Sequence, residues 1–122
     1  MAAHGEWNHI EIPADDPDRA KRFYEAVADW QFRTMEGFAD YWLYRSGPAD
    51  LGGGLGIRGK TAPAGNIRNY LSVDSIDAAI AAVEANGGKI VTPKDDMGIG
   101  WWAAVLDTEG NEIGLYEAKP QG

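Results

Sequence analysis

The chain has 122 residues, of which 44% are hydrophobic, and its 5 Trp, 5 Tyr and 3 Phe suffice for the core of one domain. A formal net charge of -8 argues against nucleic acid as a partner, and it serves either solubility or the attraction of a cationic ligand. The absence of cysteine excludes disulfides and thiolate metal sites, and without a long apolar run or a signal pattern the sequence predicts a cytoplasmic protein with no membrane contact.

The first half of the chain predicts a strand, an amphipathic helix and three further strands. Residues 1–6 show no periodicity and are predicted to form a flexible leader, whereas Trp7–Ile12 alternates as a strand does. Asp16 and Pro17 are typical of the N-cap and first position of a helix. Its predicted buried face comprises Ala20, Phe23, Tyr24 and Val27, and the later strands are Trp30–Met35, Asp40–Arg45 and Leu51–Arg58.

The second half of the chain predicts the same succession of elements. Ile67–Val73 has strand character, Ser75 is typical of a helix N-cap, and Gly87 is typical of a helix end. Pro93–Gly100 is predicted to be a loop. The remaining predicted strands are Lys89–Thr92, Trp101–Leu106 and Glu112–Ala118.

The two halves form an internal repeat. An offset of 59 residues takes Asp15 to Asp74, and an offset of 60 takes Gly54 to Gly114. Repeated elements of this kind indicate two modules of one fold, because neither half is long enough for an independent core. The predicted division is a single domain over 7–122, with module one at 7–59, a linker at 60–66 and module two at 67–118.

Three motifs carry a family resemblance. They are HIEIPADDPDRAKRFYEAV near the start, NYLSVDSIDAAIAAVEANGGKIVTP in the middle and DTEGNEIGLYE near the end. With them the chain resembles the vicinal oxygen chelate superfamily of glyoxalase I, extradiol dioxygenases and bleomycin-resistance proteins, and most of all its small bacterial glyoxalase-like members. The resemblance implies an α+β fold, in which tandem βαβββ modules form a curved, open-barrel mixed sheet around a cleft. It also implies a homodimer.

The resemblance further implies four metal-ligand positions, on the first and last strand of each module. His9 matches the first of them. The other three fall on Gly54, Arg68 and Gly114, and neither glycine nor a protonated guanidinium can ligate a metal. A single imidazole does not hold a catalytic metal, which needs three or more protein ligands. We therefore expect neither a metal nor another cofactor.

The two glycines leave two interpretations open. Gly54 and Gly114 lack a side chain at equivalent places of the repeat, which either opens volume on the cleft floor for an organic ligand or marks a bulge or bend of the strand. The glycine alternation of Leu51–Arg58 predicts one nearly bare strand face.

Three polar residues are candidates for ligand contact or catalysis. His9 and Glu11 share one strand face, so they form either an acid–base pair or hydrogen-bonded polar structure. Arg68 binds an anionic group of the ligand or pairs with Glu11 or Asp40.

Four aromatic residues are candidates to line the cleft. Tyr70 and Tyr116 share strand parity with the proposed site positions, and alternation places one of Trp101 and Trp102 on each side of its sheet. These side chains serve either as core or as a platform for a ligand.

Two functions compete. The first is a metal-independent glyoxalase- or bleomycin-resistance-like protein that binds a small, partly aromatic or cationic organic molecule. The alternative is a glyoxalase-like lyase, isomerase or dioxygenase whose catalytic candidates are His9, Glu11 and Tyr70; a dimeric accessory domain without a ligand is a third reading. The predicted ligand-binding residues are His9, Glu11, Gly54, Arg68, Tyr70, Trp101, Trp102, Gly114 and Tyr116.

Overall fold

The structure is a computed structural model that describes residues 3–46 and 51–120. Its elements in chain order are β1 (Trp7–Ala14), α1 (Pro17–Ala28), β2 (Arg33–Met35), β3 (Phe38–Arg45), β4 (Gly52–Ile57), β5 (Arg68–Ser72), α2 (Ile76–Ala85), β6 (Lys89–Asp96), β7 (Gly100–Leu106) and β8 (Glu112–Ala118). The order βαβββ occurs twice, so the predicted α+β class and tandem plan are confirmed. Neither of the described helices is long and apolar enough to cross a membrane.

Both helices begin at the predicted caps. The Asp16 carboxylate accepts a hydrogen bond from the backbone N–H of Arg19 at 3.1 Å, and Pro17 follows at the first helical position. The Ser75 hydroxyl accepts from the backbone N–H of Ala78, also at 3.1 Å. These contacts satisfy N–H groups that have no partner within the helix, which is why short polar residues fix the two starts.

The described residues form two compact units, the first within His9–Arg68 and the second comprising residues 69–120 together with 3–8. In the first unit the strands lie in the order β2-β3-β4-β1, with β1 and β4 parallel and the other pairs antiparallel. One face of these strands packs against α1. Its buried side chains are Ile12, Ala14, Tyr44 and Leu55.

The prediction of the buried face of α1 is correct for only two of its four residues. Ala20 and Tyr24 pack against the core of the first unit, whereas Phe23 is 58% exposed and Val27 is 68% exposed. The four residues span a broad arc of the helix, and only the strip defined by Ala20 and Tyr24, four residues apart, meets the sheet. The prediction that Phe23 and Val27 are buried is therefore wrong.

In the second unit the strands lie in the order β5-β8-β7-β6, with β5 and β8 parallel. Helix α2 covers one face, where Ile76 is fully buried. The predicted leader, 1–6, lies partly outside the described residues; within it, Gly5 N–H donates to Ser72 O at 2.7 Å and Ser72 N–H donates to Glu6 O at 2.9 Å. The rest of this core is formed by Val73, Ala103, Val105 and Leu115.

Two predicted strand boundaries are wrong. The strand predicted over Trp30–Met35 begins only at Arg33, because Trp30 lies outside the sheet and stacks on Tyr44 with ring centroids 4.2 Å apart. The loop predicted over Pro93–Gly100 is mostly strand, since β6 continues to Asp96. Register irregularities on both sides of Thr92 and the position of β6 at the end of the strand order accommodate the proline.

Candidate functional site

His9 and Glu11 lie on the face of the first unit that is turned away from α1. They alternate along β1 with Ile10 and Ile12, which pack on the opposite, helix-covered face. The side chains of His9 and Glu11 are only 29% and 15% exposed. The prediction that the two residues share a strand face is confirmed.

Tyr41 of β3 connects these two side chains. Its hydroxyl donates to Glu11 Oε2 at 2.6 Å. The oxygen of this hydroxyl, Tyr41 Oη, also lies 2.6 Å from His9 Nε2. Because the phenolic proton is directed to Glu11, the Tyr41 oxygen accepts from His9 Nε2–H. His9 Nε2 and Glu11 Oε2 are themselves 3.9 Å apart, so the chain His9–Tyr41–Glu11 runs through the phenol.

Gly54 allows the Tyr41 ring to reach β1. Strand β4 lies between β3 and β1, and Gly54 is the register partner of Glu11. A Cβ atom on Gly54 would lie 2.0 Å from Tyr41 Cζ and 2.1 Å from Tyr41 Oη, well inside contact distance. The Tyr41 ring therefore crosses β4 over Gly54, because a side chain at residue 54 would block it.

In the second unit a tyrosine also covers the corresponding glycine, but it comes from a different strand of the module. Tyr70 on β5 is the register partner of Gly114 on β8. A Cβ atom on Gly114 would lie 2.1 Å from Tyr70 Cδ2, so the Tyr70 ring covers this glycine as Tyr41 covers Gly54. On the glycine face of β4 the ring of Tyr41, a β3 residue, covers Gly54, so in both units a tyrosine occupies the volume that the missing side chain leaves.

The two adjacent tryptophans have different surroundings. Trp102 meets Tyr70 edge to face with ring centroids 6.3 Å apart, and its Nε1–H donates to Asp95 at 3.2 Å. Trp101 packs against the α2-side core, and its ring lies 5.1 Å from the Lys119 ammonium. Trp102 therefore lies on the same face of the strands as Tyr70, and Trp101 lies on the opposite face. The sequence alone did not decide between the two tryptophans.

The remaining predicted residues divide between the two units. Tyr116 follows Gly114 on the same face of β8, and its hydroxyl donates to the carbonyl of Ile99 at 3.3 Å; burial raises its pKa above the ordinary tyrosine value. Arg68 is the first residue of β5 and is partly buried. His9, Glu11, Gly54 and Arg68 belong to the first unit, and Tyr70, Trp101, Trp102, Gly114 and Tyr116 to the second.

The residues present do not fit the four-ligand metal set of the resembling enzymes. Among the described residues, no group of three or more His, Cys, Asp and Glu is arranged to hold a metal ion. His9 supplies one imidazole, and its Nε2 is hydrogen-bonded to the Tyr41 hydroxyl at 2.6 Å. Tyrosine rings lie over Gly54 and Gly114, so these positions supply aromatic surface and no carboxylate.

Tyr41 is the site residue that sequence reasoning missed. Tyr41 lies on the strand predicted over Asp40–Arg45, but it is not among the four aromatic candidates, because strand parity alone does not distinguish it. The signal that identifies it is the register of β3 against β4, where Tyr41 pairs with Gly56 and its ring extends diagonally over Gly54. Once the register is known, a tyrosine whose register partner lies two residues from a glycine can be recognised as a residue that covers that glycine.

His9 is held in its neutral form. Burial lowers its pKa below the ordinary histidine value, and the nearby Glu11 carboxylate opposes that shift without overcoming it. At neutral pH the imidazole therefore has one protonated nitrogen, which agrees with donation from Nε2 to Tyr41.

We expect this histidine to make stability depend on pH. The unfolded chain, with an ordinary histidine pKa of about 6.5, binds a proton before folded His9 does, so the free energy of unfolding falls as pH drops below that value. Urea unfolding at pH 7.5 and 5.5 measures the loss, which His9→Gln should reduce. His4→Gln is the control, since the His4 side chain is 62% exposed. An unchanged pH dependence in His9→Gln would contradict the expectation.

The repeated element order defines a protein built from two βαβββ units. A family model described as Glyoxalase/Bleomycin resistance protein/Dioxygenase superfamily matches residues 7–115, and the chain belongs to that superfamily. The resemblance recognised in the sequence motifs is thereby confirmed.

Relatives of the chain are named for glyoxylase. A glyoxylase-like domain-containing protein of Didymella fabae is 32% identical over 118 residues, which cover 91% of this chain and 92% of that protein. CFP32 of Mycobacterium tuberculosis, named as a candidate glyoxylase, is 32% identical over 122 residues, which cover 94% of this chain. The match covers only 44% of CFP32, so the chain spans less than half of that relative.

Solved structures share the fold at low sequence identity. Methylmalonyl-CoA epimerase from Mycobacterium tuberculosis superposes with a TM-score of 0.70 at 17% identity, over 98% of this chain and 94% of that one. A superfamily member from Vibrio splendidus has a TM-score of 0.63 at 12% identity, over 91% and 97% of the two chains. At these identities the likeness concerns the fold alone.

Proposed function

We propose that this chain is a metal-independent member of the superfamily that binds a small organic molecule. The observation that supports this function best is the pair of tyrosines over Gly54 and Gly114. At both places the resembling metal enzymes carry a carboxylate, and here an aromatic ring takes the corresponding volume. A surface of this kind suits an organic ligand better than a metal ion.

The side chains around the two glycines favour a partly aromatic or cationic ligand. In the second unit the partly exposed Trp102 packs edge to face on the buried Tyr70, and its indole N–H donates to the Asp95 carboxylate. In the first unit Glu11 supplies a carboxylate that is 15% exposed. Aromatic faces and carboxylates both attract cations, and the net charge of -8 adds a general attraction. Arg68 and Tyr116 are proposed as further contacts, and a homodimer as the assembly.

Trp102→Ala tests the proposal. Thermal-shift and calorimetric titration against a panel of aromatic amines, cationic antibiotics and neutral aromatic metabolites should find a ligand that binds equally well in EDTA. Loss of the indole should weaken that binding about 5- to 30-fold, because an aromatic contact contributes roughly 1–2 kcal/mol. Phe23→Ala is the matched control, since Phe23 is an exposed aromatic residue of α1. Silence across the panel, or equal loss in both variants, would count against the proposal.

The hydrogen-bonded chain favours a second candidate, an isomerase or lyase that needs no metal. A substrate proton would pass to the Tyr41 oxygen while the phenolic proton passes to Glu11 Oε2, 2.6 Å away, and the reverse transfer would complete the reaction. In this chemistry His9 orients the phenol of Tyr41. Tyr41 takes the proton-transfer role for which the sequence offered Tyr70 as a candidate. Turnover that persists in EDTA and is lost in Tyr41→Phe distinguishes this enzyme from a binding protein.

A further inference from the structure

The turn that follows β4 lies on the same strand face as the Tyr41 ring. A Cβ on Gly56 would lie 2.7 Å from Thr61 O and 2.8 Å from Thr61 Oγ1, so this turn covers Gly56 as the Tyr41 ring covers Gly54. The two glycines are two residues apart on β4 and therefore share a face. Gly56 is also the register partner of Tyr41. Thr61 thus lies at the point where β3 brings Tyr41 to β4.

The Thr61 hydroxyl is inserted between β3 and β4. It accepts a hydrogen bond from the backbone N–H of Ile57 at 2.8 Å and donates one to the backbone carbonyl of Asp40 at 2.5 Å. In a regular antiparallel ladder these two residues would be the next pair after Tyr41 and Gly56. The hydroxyl therefore replaces a direct contact between the strands where the ladder ends.

The backbone of Asp40 is left-handed at this point. Its φ is 56°, in a region that residues other than glycine adopt infrequently, and the register of β3 against β2 is irregular over the same stretch. Bulges of this kind change the direction of the side chains that follow them, and the next residue is Tyr41. The Lys60 ammonium lies 3.0 Å from the Asp40 carboxylate, but these side chains are 65% and 43% exposed, so the ion pair is a weak restraint. The stronger contact is the one from Thr61.

The turn that carries Thr61 is fixed by its own hydrogen bonds. The backbone N–H groups of Lys60, Thr61 and Ala62 all donate to the carbonyl of Ile57, at 2.9, 3.0 and 3.1 Å. Three donors on one carbonyl hold the turn against the end of β4. The Thr61 hydroxyl therefore reaches Asp40 from a defined position.

We propose that Thr61 is a positioning residue for Tyr41. Its hydroxyl sets the direction in which β3 enters the ladder, and thereby the direction in which the phenol crosses β4. Thr61 acts on His9 and Glu11 only through that phenol. The inference rests on the proposed function, in which the Tyr41 phenol belongs to the site.

NMR titration of the His9 imidazole in the unliganded chain tests this role. Thr61→Val removes the hydroxyl and keeps the shape of the side chain. With the phenol displaced from between His9 and Glu11, the carboxylate should raise the proton-binding constant of the imidazole at least about twofold. Thr61→Ser keeps the hydroxyl and should restore the native titration. Thr108→Val is the matched control, because the Thr108 hydroxyl donates to the adjacent Glu109 in the second unit.

A second background shows whether the effect passes through the phenol. In Tyr41→Phe, addition of Thr61→Val should leave the His9 titration unchanged. A shift of equal size in that background overturns the positioning role, and so does a Thr61→Val variant that is less stable but keeps the native titration. If Thr61→Val does not fold, Gly56→Ala decides the result, because its Cβ would lie 2.8 Å from Thr61 Oγ1 and displaces the hydroxyl by another route. An unchanged titration in that variant overturns the role as well.

This experiment separates the positioning role from the proposed function. The titration needs no ligand, so a chain that binds none of the tested compounds would contradict the proposed function and leave the role of Thr61 standing. A chain that binds a ligand but shows no shift of the His9 titration in Thr61→Val would contradict the role of Thr61 alone.

Discussion

Gly54→Val should destabilise the protein by about 3 kcal/mol, because the valine Cβ displaces the Tyr41 ring and breaks both hydrogen bonds of that hydroxyl. In a strand, valine is otherwise preferred over glycine, so propensity alone predicts the opposite sign. The steric effect should win, since the Cβ would lie 2.1 Å from Tyr41 Oη. Urea unfolding monitored by tryptophan fluorescence measures the change.

A double-mutant cycle shows whether Tyr41 is the cause. In the Tyr41→Ala background Gly54→Val should cost less than about 1 kcal/mol, because the ring is no longer there to displace. Gly65→Ala is the control: apart from its chain neighbours, no heavy atom of the described residues lies within 4 Å of a Cβ placed there, and the expected change is within about 0.5 kcal/mol. Additive effects of Gly54→Val and Tyr41→Ala would show that the glycine is required for another reason.

Tyr41→Phe should lower stability by about 2–3 kcal/mol, although the variant differs from the native chain by one oxygen atom. The substitution keeps the ring over Gly54 and removes two hydrogen bonds, one of them to a carboxylate. We also expect the pKa of His9 to rise, because the phenolic oxygen no longer lies between the imidazole and the Glu11 carboxylate, 3.9 Å away. Chemical denaturation and NMR titration of the imidazole measure the two effects.

Tyr24→Phe is the matched control for this prediction. Tyr24 is also a partly buried tyrosine of the first unit, and it contributes ring contacts, stacking on Trp30 with centroids 4.9 Å apart. Its hydroxyl makes no recorded hydrogen bond among the described residues, so the expected change is below about 0.5 kcal/mol. Equal stability losses in the two variants would remove the support for a special role of the Tyr41 hydroxyl.

The parts of the fold that depend on local chemistry could be predicted from the sequence. Asp16 and Ser75 cap the two helices through contacts only three residues away, and the alternation of His9 and Glu11 with isoleucines fixes which side of β1 they occupy. These features follow from backbone geometry that each segment carries by itself. The repeat then supplied the tandem plan, because corresponding residues at a fixed offset require corresponding elements.

The parts that depend on contacts between distant segments could not be predicted in this way. Tyr41 reaches His9 across 32 residues only because β3 and β4 pair in one particular register, and a shift by one residue would turn the ring to the other face. The exposure of Phe23 depends likewise on how much of α1 the sheet covers. Two glycines at equivalent positions indicated missing side chains, but not that tyrosines from neighbouring strands would fill the space.

The repeated tyrosine–glycine pair links the fold to the proposed function. In each unit a tyrosine ring lies over a glycine of the strand paired with its own. Tyr41 of β3 lies over Gly54 of β4, and Tyr70 of β5 lies over Gly114 of β8. Gly54 and Gly114 are two of the positions that the family resemblance implies for metal ligands, and each is covered by a tyrosine ring of its own unit. The proposed binding of an organic molecule rests on these ring contacts.

The most direct measurement of metal independence is a crystal structure after soaking in ZnCl₂, with anomalous data collected at the zinc edge. We predict that the Tyr41 hydroxyl remains within hydrogen-bond distance of both His9 Nε2 and Glu11 Oε2, and that no anomalous peak lies between them. An anomalous peak coordinated by His9 and Glu11, with the Tyr41 ring turned away from Gly54, would contradict it.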